Sequence, residues 1–251
     1  MISVTKKIKH KLLAWAVLML LCGIAVWLGW RGVLWFNMPS RRRYAVRGVD
    51  VSHYQREIDW HTLAAQDLSF AFIKATEGSG SVDDYFVKNW LNAKAEGLYV
   101  GGYHFFSFDS PGDTQAQIFT MTVPKESDAL PPVIDLEHYR SSDLPPVEKV
   151  QENLRVMLER LSDFYGKKPI IYTTESCWET YLKDTDLQYT LWIRSVYEPP
   201  SNKLTPAWAF WQYNSRGRLD GYSGGETLID LNVYRGTLDD MRNEFYLYSK
   251  K

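Results

Sequence analysis

Short strand-like segments alternate with helical ones over most of this chain, and that order constrains the fold more than any other feature. Five apolar segments have the length and composition of buried strands. They are Arg47–Ser52, Leu68–Ala75, Tyr99–Phe106, Pro131–Glu137 and Pro169–Thr174. Helical spacing of apolar residues lies between them, most clearly from Pro146 to Tyr165. Strands that alternate with helices predict a parallel sheet.

The last third of the chain has a different pattern. Three further strand candidates, Leu191–Ser195, Ala209–Tyr213 and Leu228–Val233, are separated by short segments that are rich in Pro, Gly and Asn. These segments cannot supply crossover helices, so at least one of the three strands should be antiparallel. About eight strands in a domain of this size predict closure into a barrel. We therefore expect an irregular TIM-like α/β barrel, with about five β/α units followed by three strands that lack helices.

The N-terminus carries an apolar segment long enough to cross a membrane. Leu12 to Trp30 is 19 residues long and has no charged residue, which at about 1.5 Å per residue approaches the roughly 30 Å of a bilayer core. We expect a basic cytoplasmic N-terminus over residues 1–11, one transmembrane anchor over 12–36, a short solvated tether over 37–46 and the barrel over 47–251.

A cleaved signal peptide is the alternative to this anchor. Lysines precede the apolar segment, and Gly23-Ile24-Ala25 is a poor small-x-small cleavage site. We favour the anchor because apolar residues continue past that site and beyond Arg31 to Phe36. Charge does not decide the orientation, since four lysines precede the span and five arginines follow it.

Composition narrows the possible partners. The formal net charge is −1, so bulk electrostatics favours no nucleic-acid partner. Aromatic residues make up 15% of the chain, enough to line a binding cleft after the core is filled, and sugar rings stack on such side chains. Only two cysteines occur, Cys22 and Cys177, and we expect no disulfide within the chain. We expect a monomer.

The segment Pro131–Glu137 ends in two acids separated by one residue. Strand side chains alternate between faces, so Asp135 and Glu137 project from the same face. Like charges held together raise the pKa of at least one of the pair, and a protonated carboxylic acid is what general-acid chemistry such as glycoside cleavage requires. An isolated Asp-x-Glu can equally be a solvated strand end or part of an ion pair, so other residues must support this interpretation.

Further acids fall at the predicted C-terminal ends of other strands, where the functional residues of such barrels lie. Asp50 ends the first strand, Glu77 follows the second and Asp230 lies in the last. Polar and aromatic residues accompany them: Tyr103, His104, Tyr172, Trp192 and Gln212. Glu77 and His104 could instead be hydrogen-bonded strand caps.

Joint burial of the four acids Asp50, Asp135, Glu137 and Asp230 without a function would be costly. Metal binding is the other use for such a cluster. Because His104 is the only histidine near it and no cysteine accompanies it, we expect no metal and no other cofactor.

Eight short motifs occur in one order along the domain. They are Asp50-Val-Ser-His-Tyr-Gln with Ile58-Asp-Trp, Phe72-Ile-Lys-Ala-Thr-Glu-Gly, Gly102-Tyr-His-Phe, Val133-Ile-Asp-Leu-Glu, Ile171-Tyr-Thr, Leu191-Trp, Trp211-Gln-Tyr and Ile229-Asp-Leu-Asn. In this order the chain resembles the glycoside hydrolase family 25 lysozymes, the Chalaropsis-type N-acetylmuramidases. The resemblance covers about Arg47 to Gly236.

The resemblance implies hydrolysis of the β-1,4 bond between N-acetylmuramic acid and N-acetylglucosamine in peptidoglycan strands. It implies that Glu137 is the general acid and that Asp135 orients the substrate N-acetyl group or stabilises positive charge. Asp50 and Asp230 are then the flanking acids. The substrate-binding residues would be Tyr103, His104, Tyr172, Trp192, Gln212 and Glu77. Arg56 and Arg194 depart from the family pattern, which has small residues there, and this affects substrate fit more than catalysis.

Peptidoglycan lies outside the cytoplasmic membrane, and this places the barrel of a single-pass inner-membrane protein on the periplasmic side. Such an enzyme would reach wall strands near the membrane, for turnover or remodelling. Asp135 and Glu137 are too close for a water between opposite sugar faces, so we favour participation of the substrate N-acetyl group.

Two other functions stay open at this stage. A membrane-tethered glycan-binding module without catalysis should lack one of the four acids, and none is missing. A chitinase-like N-acetylhexosaminidase commonly has a longer acidic series before the glutamate, whereas Pro131-Pro-Val-Ile precedes Asp135 here.

Overall fold

A computed structural model of the protein describes residues 2–31, 33, 35–138, 145–200 and 208–246, with side chains from residue 8 onward. Parts of the predicted N-terminal segment (1–11) and of the predicted barrel domain (47–251) thus lie outside the described residues.

The strands are β1 (Arg47–Val51), β2 (Phe70–Glu77), β3 (Ser81–Val82), β4 (Tyr99–Phe105), β5 (Val133–Leu136), β6 (Ile170–Thr174), β7 (Thr190–Arg194), β8 (Trp208–Gly217) and β9 (Ile229–Tyr234). The helices are α1 (Ile2–Trp30), α2 (Trp60–Ala64), α3 (Phe86–Ala95), α4 (Gly112–Thr122), α5 (Val147–Tyr165), α6 (Glu175–Cys177) and α7 (Leu238–Phe245).

Eight of the described strands close into a barrel in the order β1-β2-β4-β5-β6-β7-β8-β9 and back to β1. Neighbouring strands are parallel except at β9, which is antiparallel to both β8 and β1. The short strand β3 pairs only with the end of β2, beside the barrel. The predicted irregular barrel with an antiparallel strand in its last third is confirmed.

Helices cover the first part of the barrel and not the last. Each of α2 to α5 lies between two successive barrel strands, and α6 with a π-helical turn at Trp178–Leu182 follows β6. Within the described residues, no helix joins β7 to β8 or β8 to β9. This confirms the five predicted β/α units, and the described parts of the later connections contain no helix, as predicted.

Helix α7 follows β9 and was not predicted. It begins with a capping box, in which the Thr237 side chain accepts from the Asp240 amide and the Asp240 side chain accepts from the Thr237 amide. Met241 and Phe245 are buried, and the Phe245 ring stacks on Phe210 at 5.5 Å between centroids. Because β9 runs antiparallel, α7 closes the end of the barrel opposite to the C-terminal ends of the parallel strands.

Aromatic rings fill the barrel interior where glycines leave room for them. Phe70 and Phe72 lie edge to face, and Trp192 stacks on Phe72 at 4.5 Å. A Cβ atom on Gly48 would lie 2.4 Å from the Phe70 ring, and one on Gly101 would lie 2.8 Å from the Phe72 ring. Small and large residues on neighbouring strands therefore interlock.

The N-terminal helix α1 is long and apolar enough over Ile8–Trp30 to cross a membrane, and that stretch is exposed. A signal sequence at this position would have the same properties. The helix ends at Trp30, so the described residues between it and residue 36 are not helical.

The segment from residue 35 to 46, predicted in part as a solvated tether, is solvated only in part. Residues 40–43 are exposed, but Asn37 and Pro39 are buried against the barrel. The Asn37 side-chain amide donates to the Ser195 carbonyl at 3.0 Å. Arg47 donates to the Pro39 carbonyl at 2.7 Å. These contacts make the segment part of the barrel surface.

We predict that Gly48→Ala lowers the free energy of unfolding by about 1–3 kcal/mol, the usual cost of overpacking a core. The new methyl would lie 2.5 Å from the backbone oxygen of Phe70, which cannot move as a side chain can. Denaturant titration in detergent, followed by tryptophan fluorescence, measures the change. Gly80→Ala is the control, because nothing lies within 4 Å of its added Cβ. Equal stability of the two variants would contradict this packing account.

Candidate active site

A cavity of about 300 Å³ opens at the C-terminal ends of the parallel strands. The four carboxylates predicted to meet there all line it: Asp50, Asp135, Glu137 and Asp230. Asp50 lies near the end of β1, Asp135 near the end of β5 and Glu137 directly after β5. Asp230 comes from the antiparallel strand β9, near its start, which lies at the same end of the barrel.

Asp50 and Asp230 are brought together by the pairing of β1 with β9. They are directly opposite each other in the antiparallel register, an arrangement that places two side chains on one face about 5 Å apart at Cβ. Asp50 Oδ2 accepts hydrogen bonds from Asn232 Nδ2 at 2.7 Å and from Gln212 Nε2 at 3.0 Å. Burial raises the pKa of Asp50 to about 6, although both hydrogen bonds favour its charged form.

The pKa of Asp230, the second acid of this pair, is raised as well. Burial raises the pKa of Asp230 well above its ordinary value, and the charge of Asp50 raises it further. Arg194 acts in the opposite direction, since a nearby cation favours the carboxylate.

Asp135 is buried, and its Oδ1 atom has no hydrogen-bond partner among the described residues. Burial raises its pKa well above the ordinary value, with further contributions from Glu137 and Asp50. A buried carboxylate oxygen without a donor is costly. This oxygen is therefore placed to accept a hydrogen bond from a bound molecule.

Glu137 has a raised pKa for the same main reason. Burial is the largest cause, and the charge of Asp50 adds to it. Arg194 and the nearby Tyr172 hydroxyl favour the charged form and limit the rise. Glu137 thus keeps its proton to a higher pH than an exposed glutamate, as a general acid must.

The predicted cavity residues Tyr103, Tyr172, Trp192 and Gln212 all line the cavity. The Tyr172 hydroxyl donates to Gln212 Oε1 at 3.0 Å, and Gln212 in turn donates to Asp50. Trp192 is only 2% exposed, and its indole N–H donates to Asn232 Oδ1 at 2.9 Å. These side chains therefore hold Asp50 in place, and Trp192 supports the cavity wall more than it offers an open ring face.

His104, which we expected to bind substrate, does not line the cavity. Side chains alternate along β4, and His104 points away from the cavity that its neighbour Tyr103 lines. Its Nε2 lies 3.0 Å from Gln115 Oε1, and its Nδ1 lies 2.7 Å from Thr76 Oγ1. Burial lowers its pKa to about 4, so a neutral ring donates to Gln115 and accepts from Thr76.

Glu77 also lies outside the lining of the cavity. Its half-exposed carboxylate accepts from Lys74 Nζ at 2.6 Å. Lys74 lies two residues after the interior residue Phe72 on the same face of β2, and it lines the cavity. Glu77 can influence the site through that lysine, and it is not one of the residues around the cavity.

Several lining residues were not selected from the sequence. They include Ser52, Tyr54, Gln55, Lys74, Phe105, Ser215 and Glu226. Asn232, which holds Asp50, was also missed, although it lies two positions after Asp230 on the same face of the strand. Gln55 follows β1 in a short 3₁₀ turn whose capping box with Ser52 fixes it. A period-two pattern could have found Asn232, and the Ser-x-x-Gln spacing of a capping box could have found Ser52 and Gln55.

The described side chains do not form a metal-binding site. No group of three or more His, Cys, Asp or Glu residues among them is arranged to hold a metal ion. The expectation that no metal or cofactor takes part stays a prediction.

Comparisons with known proteins identify the family of the chain. The family model described as Glycosyl hydrolases family 25 matches residues 49–222. The structure of a family 25 glycosyl hydrolase from Bacillus anthracis is 50% identical, with a TM-score of 0.77 over 82% of this chain and 96% of that one. Lysozyme M1 of Streptomyces globisporus is 33% identical over 208 residues, 76% of this chain and 68% of its own. The uncharacterized protein YegX of Escherichia coli K12 is 35% identical over 219 residues, 85% of this chain and 78% of its own.

We predict that Asp230→Asn stabilises the barrel at about pH 8 and that the gain shrinks toward about pH 4. The folded pKa of Asp230 is raised above its ordinary value of 3.8. The stability that protonated Asp230 contributes is therefore fully present below its ordinary pKa. It is lost as the pH rises through the folded pKa, because the buried carboxyl group must then ionise. Denaturant unfolding across this pH range measures the difference.

Asp240→Asn is the control with the opposite sign. Hydrogen bonds from Thr237 lower the pKa of Asp240, so its contribution is present above the ordinary value and is lost as the pH falls. That variant should lose stability at about pH 8. An Asp230→Asn variant less stable than the wild type at high pH would contradict the assignment of a burial cost to this acid.

Proposed function

Because the chain belongs to glycosyl hydrolase family 25, we propose that it is a lysozyme that hydrolyses the β-1,4 bond between N-acetylmuramic acid and N-acetylglucosamine in peptidoglycan. The observation that carries the proposal is the meeting of four buried carboxylates in one cavity at the C-terminal end of the barrel. The similar Lysozyme M1 carries this activity in its name.

Glu137 is the proposed general acid. It lies just beyond β5, lines the cavity and has a pKa raised chiefly by burial. In the first step it gives its proton to the glycosidic oxygen as the bond from that oxygen to the anomeric carbon breaks. In the second step the resulting carboxylate takes a proton from the attacking water.

Asp135 is the proposed partner of the substrate N-acetyl group. Its Oδ1 is buried and has no donor among the described residues, and an acetamido N–H would supply one. Such a hydrogen bond favours the charged form of Asp135. It also turns the acetamido carbonyl oxygen toward the anomeric carbon, where that oxygen can attack. The positive charge that the acetamido group then gains is stabilised by the Asp135 carboxylate.

Asp50 and Asp230 are the proposed flanking acids. The charge of Asp50 raises the pKa of Asp135, Glu137 and Asp230, so it helps Glu137 to hold its proton. Two amide donors, Asn232 and Gln212, fix its carboxylate in the cavity wall. Both acids act through the field they impose on the pair.

We further propose that α1 anchors the enzyme in the inner membrane, with the catalytic barrel on the periplasmic side. An exposed apolar helix of sufficient length supports the anchor, and a substrate outside the membrane supports the orientation. In this arrangement residues 1–11 are cytoplasmic, 12–36 contain the anchor and 47–251 form the catalytic domain. A monomer held in this way would act on wall strands near the membrane, for turnover or remodelling.

Glu137→Gln should reduce the release of soluble fragments from purified peptidoglycan by about 10²- to 10⁴-fold, the usual contribution of a general acid. The amide keeps the shape of the side chain but has no proton to transfer. Mass spectrometry of the fragments measures the loss and identifies N-acetylmuramic acid at the new reducing ends. Glu179→Gln, at an exposed position, should keep full activity.

Two other results of this experiment would count against parts of the proposal. Binding of peptidoglycan without fragment release by the wild type would favour a non-catalytic module. A product of inverted anomeric configuration, seen by NMR at early times, would exclude participation of the N-acetyl group and leave the lysozyme activity intact.

Arg194→Gln should shift the basic limb of the pH–activity profile to higher pH. Burial raises the pKa of Glu137, and the charge of Arg194 is the largest influence that lowers it again, so its removal lets the acid keep its proton longer. The acidic limb should move less, since Lys74 is the cation that lowers the pKa of Asp135. Arg194→Lys keeps the charge and serves as the control. A profile that moves to lower pH, or moves equally in both variants, would contradict this role for the arginine charge.

A further inference from the structure

The chain that follows α1 is fixed to the barrel by hydrogen bonds at four points. Arg216 donates to the carbonyl of Trp30, the last residue of α1. Arg218 Nε donates to the Arg31 carbonyl at 2.6 Å. Farther along, Trp35 Nε1 donates to the Tyr213 carbonyl at 3.0 Å, and the Asn37 side chain donates to Ser195. The end of the helix is therefore held against the barrel by several bonds at once.

These points of attachment lie at the same end of the barrel as the cavity. Ser195 directly follows Arg194 at the end of β7, and Arg194 lines the cavity. Tyr213 directly follows Gln212 in β8, and Arg216 follows Ser215, another lining residue. The helix end and the catalytic cavity are thus neighbours on one rim.

Large side chains are exposed beside these points of attachment. We name Phe36, Met38, Arg43 and Tyr197 the rim patch. Phe36 is 80% exposed, Met38 55% and Tyr197 73%. Trp35 joins two of them, with its ring stacked on Phe36 at 5.8 Å and 6.4 Å from Tyr197. The patch surrounds one shallow hollow of about 390 Å³.

Single exposed apolar residues need no explanation, but a contiguous group beside a membrane helix does. Aromatic side chains prefer the boundary between headgroups and acyl chains, and arginines near a span attract anionic lipid. Trp30, at the end of α1, is also exposed, and Arg43 brings a positive charge to the patch. The rim patch has the composition of a surface that rests on headgroups, and its first residue, Phe36, lies six positions after the end of α1.

We propose that the rim patch rests on the lipid headgroup layer of the membrane that α1 crosses, and that this contact holds the mouth of the catalytic cavity beside the bilayer. The inference rests on the proposed membrane-anchored lysozyme. It goes beyond that proposal because an anchor alone does not specify which face of the barrel meets the bilayer. With the rim docked, the enzyme acts on glycan strands that pass close to the membrane surface.

The test uses the full chain in nanodiscs of phosphatidylethanolamine and phosphatidylglycerol. Cys22→Ser removes the exposed thiol of the span, and Cys177 is buried. Tyr197→Cys or Met38→Cys then places an environment-sensitive fluorophore on the rim patch. Met121→Cys is the control, because it is 79% exposed at the end of α4, away from the rim. Spin-labelled headgroups in the nanodisc report contact through quenching.

The proposal expects a blue shift and quenching at positions 197 and 38, and neither at 121. A protein that enters the nanodisc without quenching at 197 and 38 overturns the docking while the anchor stands. Equal quenching at all three positions overturns it as well, because the barrel then has no fixed orientation. A chain that does not enter nanodiscs, with its N-terminal segment removed on expression, refutes the anchor itself. Fragment release from peptidoglycan by the same samples tests the lysozyme activity independently.

Discussion

The pairing of β9 with β1 closes the barrel, and the same pairing sets Asp50 against Asp230 at the cavity mouth. The strand before it, β8, is parallel to β7 and runs in the same sense as β1, so an antiparallel strand is needed between β8 and β1 when no helix is present to return the chain. Its register fixes Asn232 as well, two residues from Asp230 and within 2.7 Å of Asp50. Closure of the fold and assembly of the acidic site therefore depend on one set of backbone hydrogen bonds.

Burial of four acids around one cavity works against folding, and the surrounding residues limit the cost in free energy. Asp50 receives two amide hydrogen bonds, and Arg194 brings a positive charge toward Asp50, Glu137 and Asp230. Asp135 Oδ1 receives no hydrogen bond from the described residues, and this leaves it free to accept one from a substrate. An oxygen already paired within the protein could not take the substrate amide, so part of the cost of burial remains until substrate binds.

The positions of the four acids followed from the sequence because each depends on a local rule. Alternation along a strand puts Asp135 and Glu137 on one face, and the C-terminal ends of barrel strands face one mouth. The same rule accounts for His104: it neighbours Tyr103, and alternation turns it away from the cavity toward Gln115 on α4. Glu77 lies outside the lining of the cavity, and its ion pair with Lys74 depends on side-chain positions that the pattern of the segment does not give. Helix α7 was overlooked although its capping residues, Thr237 and Asp240, are visible in the sequence.

The irregular last third of the barrel also explains where the N-terminal segment can pack. In the first part of the barrel, helices cover the outer faces of the strands, but no described helix follows β7 or β8. The outer side of β8 carries Trp211, and Tyr44 packs edge-on against that ring at 5.9 Å. Arg47 reaches from β1 to the Tyr213 hydroxyl at 3.1 Å. The chain between α1 and β1 thus takes the place of the missing helices. Arg216 and Arg218 extend this packing to the end of α1, so the segment that covers β8 where no described helix does also brings α1 to the cavity rim.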